Sequence, residues 1–148
     1  MHSLDLSGLM AILQTSISPV AVISGVGLLL LSMTNRLGRT TDRARMLCDL
    51  VRDPSPQGRE NLIQEIRILY NRSRILRLSI CFALLSILFI SLLIVTLFSI
   101  SLFGMGMKKL VLVLFALSLL SLLISLILFL EDINLSLKAL KLELKGVI

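Results

Sequence analysis

All ten arginines of this chain fall between Arg36 and Arg77, interleaved with five carboxylates: Asp42, Asp49, Asp53, Glu60 and Glu65. A guanidinium presents its donors in a rigid fork that matches a carboxylate or a phosphate, whereas a lysine ammonium is a compact point charge. The chemistry such a cluster can do is recognition of anions, either its own acids or those of a ligand. Groups that commonly carry catalysis are poorly placed. The sole histidine is His2, and Cys48 and Cys81 stand far apart in sequence. No nucleophile with a neighbouring base can be assembled from these residues. The two cysteines lack the spacing of a zinc site or a redox pair. No catalytic residue, cofactor or metal is expected, and the chain reads as a non-enzyme.

What carries the arginines is an unusually apolar chain. Of its 148 residues 56% are hydrophobic and 16% charged, against roughly 25% charged in a soluble globule. No charge falls between Asp5 and Arg36, between Arg77 and Lys108, or between Lys109 and Glu131. A helix of about 20 apolar residues crosses the ~30 Å bilayer core, and none of these runs alternates as a barrel strand does. They predict an all-α membrane protein, one membrane domain over 1–148, with transmembrane helices at 18–35, 78–103 and 110–130. The basic residues follow the first run instead of preceding it, so it is read as a retained span and not as a signal peptide.

Charge placement orients the spans. Segment 36–77 carries a net charge of +5, the turn after the second span holds only Lys108 and Lys109, and the tail holds Lys138, Lys141 and Lys145. Lys and Arg concentrate on the cytoplasmic side of membrane proteins. The topology expected is N-terminus outside and C-terminus inside, in the bacterial inner membrane.

The opening run "ISPVAVISGVGLLLLSMTNRLGRTTDRARML" changes from apolar to basic at Asn35. Nothing up to Arg52 breaks a helix decisively, so the first span is expected to continue as a basic arm. Leu37, Thr41, Ala44, Cys48 and Val51 share one face of that arm. Two prolines and a glycine in "DPSPQG", 53–58, force a turn. Leu62, Ile66, Leu69, Ser73 and Leu76 then define the seam of a second arm that leads into the second span. The two arms should pack as an antiparallel cytoplasmic helical hairpin over 36–77. After the third span, Ile133, Leu137, Leu140, Leu144 and Val147 predict an amphipathic cytoplasmic helix over 131–148, packed on the hairpin or lying on the lipid.

The preferred account of the arginines is a solvated basic face that orients the protein and pairs with its own acids. The alternative is contact with anionic lipid headgroups through Arg36, Arg39, Arg43, Arg74 and Arg77, since juxtamembrane basic residues gain about 1 kcal/mol each near an acidic surface. Nucleic acid is not an expected partner, because acids interrupt the positive charge and Tyr70 is the only aromatic residue in the arms. By span length, Glu131 and Asp132 lie level with Arg36 and Arg77, which predicts interfacial salt bridges among these four residues.

Smaller features bear on packing. Residues 5–15 have amphipathic spacing and suit a short outer segment, with Ser18-Pro19 as the start of the next helix. "SGVG" at 24–27 has the glycine content of a potassium-channel filter but not its re-entrant setting. Ser18, Ala21, Gly25 and Ser32 form a stripe of small side chains that lets another helix approach closely. Ser118, Ser121 and Ser125 on the third span, and Ser79, Ser86, Ser91, Thr96 and Ser99 on the second, either bond to helices or line a hydrated path. No Asp, Glu, Lys, Arg or His falls within a span, which removes the usual mark of a proton relay.

The run from Ser18-Pro19 through Ile23-Ser24-Gly25-Val26-Gly27-Leu28 to Asn35-Arg36 and Asp42-Arg43-Ala44-Arg45 resembles a family of small bacterial membrane proteins, domain of unknown function 2721. The likeness extends over nearly the whole chain. It implies a multi-span inner-membrane protein and no particular activity.

Together these features favour a structural or interaction protein that docks an unidentified cytoplasmic protein or a lipid and self-associates through the first span. The alternative is a subunit of an oligomeric pore with an anion preference. Replacing Gly25 with Leu should weaken self-association measured by native mass spectrometry in nanodiscs. An unchanged copy number would remove the small-residue stripe as the interface.

Overall fold

In the computed structural model, the residues described are 6–52, 59–103 and 108–145, with side chains described at 17, 19–52, 59–100 and 108–137. They form three helices: α1 (Leu6–Arg52), α2 (Arg59–Phe103) and α3 (Lys108–Lys145). No strand occurs among them. The turn expected at 53–58 lies outside the described residues, as does the Ser18 side chain.

α1 runs through the apolar segment into the basic arm without a break. Pro19 lies inside this helix, which corrects the reading of Ser18-Pro19 as a helix start: residues 6–15 belong to the same helix. An interior proline removes one backbone hydrogen bond and costs about 3 kcal/mol in a water-exposed helix. Membrane helices tolerate it where other groups satisfy the freed carbonyl. α3 continues past Glu131 and Asp132, as the helix dipole requires, since two acids at a true C-terminus would oppose it.

The chain divides into two compact units, Met1–Leu30 with Phe82–Leu123, and Leu31–Cys81 with Ile124–Ile148, so every helix contributes to both. In the first unit the buried side chains are Val26 from α1, Ala83, Ser86, Ile90 and Leu93 from α2, and Leu114, Ser118 and Ser121 from α3. In the second they are Met33, Thr40 and Leu47, then Leu69, Leu76 and Ser79, then Ser125 and Asp132. Within each unit the buried positions of α2 recur at intervals of three, four and seven, the spacing of a coiled-coil seam. On α1 the seam residues Met33, Thr40 and Leu47 are seven apart. The face expected for the basic arm was Leu37, Thr41, Ala44, Cys48 and Val51. Leu37, Thr41, Ala44 and Val51 are half-buried and Cys48 is exposed, while Thr40 and Leu47 are buried. The contact face thus keeps most of the expected residues and is turned by less than the 100° of one residue.

Polarity in these units is inverted relative to a protein in water. Serines occupy the interior, while Leu28, Val95, Leu112, Leu120 and Leu123 are all more than half exposed. α1, α2 and α3 are each long and apolar enough to cross a membrane, yet only 11%, 22% and 17% of their most apolar windows are buried. That surface suits lipid tails, which are as apolar as leucine and so provide no hydrophobic drive to bury it. Helices in lipid associate instead by close packing of small residues and by hydrogen bonds. The protein is a multi-pass membrane protein.

The clearest such contact joins α2 and α3. Ser79 Oγ donates to the Ser125 carbonyl at 2.7 Å, and Ser125 Oγ donates back to the Ser79 carbonyl at 2.8 Å. Met33 of α1 brings its Sδ to 3.6 Å from Ser79 Oγ. Ser91, Thr96 and Ser99, by contrast, donate to carbonyls four residues back on their own helix. Ser79→Ala should therefore lower unfolding stability in mixed micelles by about 1 kcal/mol, and Ser91→Ala should leave it within error. Equal effects would refute the assignment of Ser79–Ser125 as a packing contact.

Candidate functional site

The second unit contains a fully buried charge. Asp132 is 0% exposed, and an unpaired carboxylate there would carry a solvation penalty of several kcal/mol. Two arginines answer it. Arg36 Nε lies 2.7 Å from Oδ2, and Arg72 Nε donates to Oδ1 at 3.3 Å. The Arg36 contact is an ion pair and not a directed hydrogen bond, since both of its atoms lack a bond of acceptable geometry. The Arg36 guanidinium also stands 6.0 Å from the centre of the Phe129 ring, within range of a cation–π attraction. One carboxylate from α3 thus ties α1 to α2.

About two helical turns further along α1, Arg43 engages Glu65 of α2 through Nε at 3.1 Å and Nη2 at 2.6 Å, both to Oε1. Between these contacts is a recess of about 310 Å³, lined by Arg36, Arg39, Thr40, Arg43, Leu69, Arg72 and Ser136. Thr40 is buried and donates its hydroxyl to the Arg36 carbonyl at 3.0 Å, which leaves the wall cationic. All three helices contribute to it. Among the described residues no group of three or more His, Cys, Asp or Glu side chains could hold a metal ion.

The four residues expected to form interfacial salt bridges separate into two pairs. Arg36 and Asp132 meet, while Arg77 and Glu131 are exposed and make no ion pair among the described residues. Arg72 stands where Arg77 was expected. The two are five positions apart, which is roughly 140° around the helix axis, so only one of them can face Asp132. Span length sets the height of a residue along the axis and leaves its direction open. Arg72 is three residues after Leu69 and four before Leu76, the spacing of the α2 seam, and that spacing was the available signal.

Of the arginines assigned to headgroup contact, Arg36, Arg39 and Arg43 line the recess, whereas Arg74 and Arg77 are exposed and do not. Ala21, Gly25 and Ser32 are exposed, and a Cβ built on Gly25 meets nothing within 4 Å. Ala21, Gly25 and Ser32 therefore take no part in packing among the described residues, and the close contacts there use serines of α2 and α3 instead.

Replacing Asp132 with Asn should destabilise the protein by about 3 kcal/mol, the low end for a broken buried pair, because both arginines keep some water. Glu131→Gln should change stability by less than about 0.5 kcal/mol. Unfolding in mixed micelles measures both, and similar losses would show that burial of Asp132 does not set its importance.

The family model described as "Protein of unknown function (DUF2721)" matches residues 16–142. No curated protein and no solved structure matches the chain.

Proposed function

The chain belongs to this DUF2721 family, and within it we propose that the protein is a non-enzymatic interaction protein of the bacterial inner membrane. Its N-terminus is outside and its C-terminus inside, and its arginine-rich arms form a hairpin that receives an anionic partner at the cytoplasmic face. The observation that carries this reading is the recess in which Arg36, Arg39, Arg43 and Arg72 converge at the polar end of the spans. Such an arrangement can bind and orient a negatively charged group. The excess of Lys and Arg in 36–77 and in the tail supports the orientation.

Of the residues that might have lined a pore built from several copies, Ser79, Ser86, Ser118, Ser121 and Ser125 are buried within the single chain, and the less buried Ser91, Thr96 and Ser99 donate to carbonyls of their own helix. Self-association through Ala21, Gly25 and Ser32 remains compatible with the interaction reading, since that face is uncovered.

The native cysteines test the orientation. Cys48 is exposed on the basic arm, and Cys81 is exposed within the apolar part of α2. A membrane-impermeant maleimide should label Cys48 in inverted vesicles and not in intact spheroplasts. Cys81 should resist it in both. Labelling of Cys48 in a Cys81→Ser variant from the outer face would reverse the topology and end this reading.

A further inference from the structure

We infer that the arginine recess is a binding site for a phosphomonoester, a doubly charged phosphate, borne on a lipid headgroup at the level of Arg36. This rests on the reading of the arms as an anion-receiving hairpin and adds the chemical class of the anion. Three observations lead to it.

The first is charge. Of the four guanidiniums that line the recess, Arg43 is engaged by Glu65 and by a further contact and adds nothing to the surplus. Arg36 and Arg72 share the one carboxylate of Asp132, and Arg39 makes no ion pair among the described residues, so two positive charges of these three remain uncompensated. A phosphomonoester carries roughly −1.5 to −2 at pH 7, which matches this surplus. A phosphodiester headgroup carries one charge and leaves part of the surplus unmet.

The second is preorganisation. Asp132 is engaged by Nε of both Arg36 and Arg72, and the terminal amino groups of these two guanidiniums form no hydrogen bond among the described residues. Their terminal amino groups are left for a ligand, on side chains already held in place. Holding donors before the ligand arrives reduces the ordering cost of binding. Arginine also makes paired, charge-assisted hydrogen bonds to phosphate oxygens. Ser136 brings a hydroxyl group to the same wall, while the hydroxyl proton of Thr40 is already given to the Arg36 carbonyl.

The third is position and size. Arg36 is the first charge after the apolar run that follows Asp5, and Arg39 is about 4.5 Å further along the helix. The polar layer on each side of the bilayer core is only about 5–8 Å thick, so these two residues fall within headgroup depth. The volume of about 310 Å³ is at the lower end for small-molecule pockets, roughly 300–1,000 Å³. It suits a headgroup better than a large soluble ligand.

The test uses the full-length protein in mixed micelles containing equal amounts of phosphatidic acid, a phosphomonoester, and phosphatidylglycerol, a phosphodiester. Native mass spectrometry then counts the lipid retained. Phosphatidic acid should be retained at least tenfold over phosphatidylglycerol. Arg39→Gln should reduce that ratio by about fivefold to tenfold, the effect of one ordinary hydrogen bond at an exposed site. Arg39 makes no ion pair among the described residues, so this change spares the Asp132 contacts. Arg74→Gln, outside the recess, should leave the ratio unchanged. Displacement of bound phosphatidic acid by millimolar inorganic phosphate would keep the phosphomonoester class and transfer the source to the aqueous side. Equal retention of the two lipids, or a preference untouched by Arg39→Gln, would overturn the proposal. The labelling of Cys48 is independent of this ratio, so failure of the topology and failure of the ligand class are separable.

Discussion

Asp132 has no exposed surface, and a carboxylate so buried is tolerable only if opposite charge reaches it. Arg36 from α1 and Arg72 from α2 do so. This constraint fixes the rotation of three helices at once, because a turn of 100° on any of them would remove its side chain from the cluster. It also determines which arginines are held and which are free. Arg36 and Arg72 are held by Asp132, and Arg43 is held by Glu65. Arg74 and Arg77 are exposed on another face of α2. The recess is a consequence of this division, since it forms beside the guanidiniums that the acids have already positioned.

Beyond the charged cluster, the interior is organised by the solvent that the spans meet. Lipid gives leucine no drive to turn inward, so many large apolar side chains stay outside, and the buried seam mixes Met33, Leu69, Leu76, Ile90 and Leu93 with small serines. The Ser79–Ser125 exchange is the result. Each hydroxyl satisfies a carbonyl on the opposite helix, and each side chain is small enough to let the backbones approach. Ser86 is buried with no hydrogen-bond partner for its Oγ among the described residues, and its small size is its evident contribution. The same polarity that would be a fault in a water-soluble core is the working arrangement here.

The glycines of α1 show how a small residue can serve different purposes. Gly25, Gly27 and Gly38 each have open space where a Cβ would be, so none is required by contact within the chain. Among the described residues the small side chains packed inside are Ser79, Ala83 and Ser86 of α2 and Ser118, Ser121 and Ser125 of α3. The face of α1 that carries Ala21 and Gly25 is left toward the surroundings.

The sequence by itself determined the helical class, the three spans and the continuity of α1 and α3 into charged extensions. Those properties follow from the length of apolar runs, the location of charges along the axis and the helix-breaking composition of 53–58, all of which are local. Ser18-Pro19 misled, because a proline acceptable at a helix start is also accepted inside a membrane helix. The acids and arginines at the right height were legible, and Asp132 and Arg36 were among them. Direction around each axis was set by the tertiary structure alone: Arg72 over Arg77, Asp132 over Glu131, and Leu47 over Cys48. Neighbouring residues on a helix differ by 100°, and hydropathy barely separates the faces of an apolar span. Orientation therefore depends on which side chains find partners across the seam.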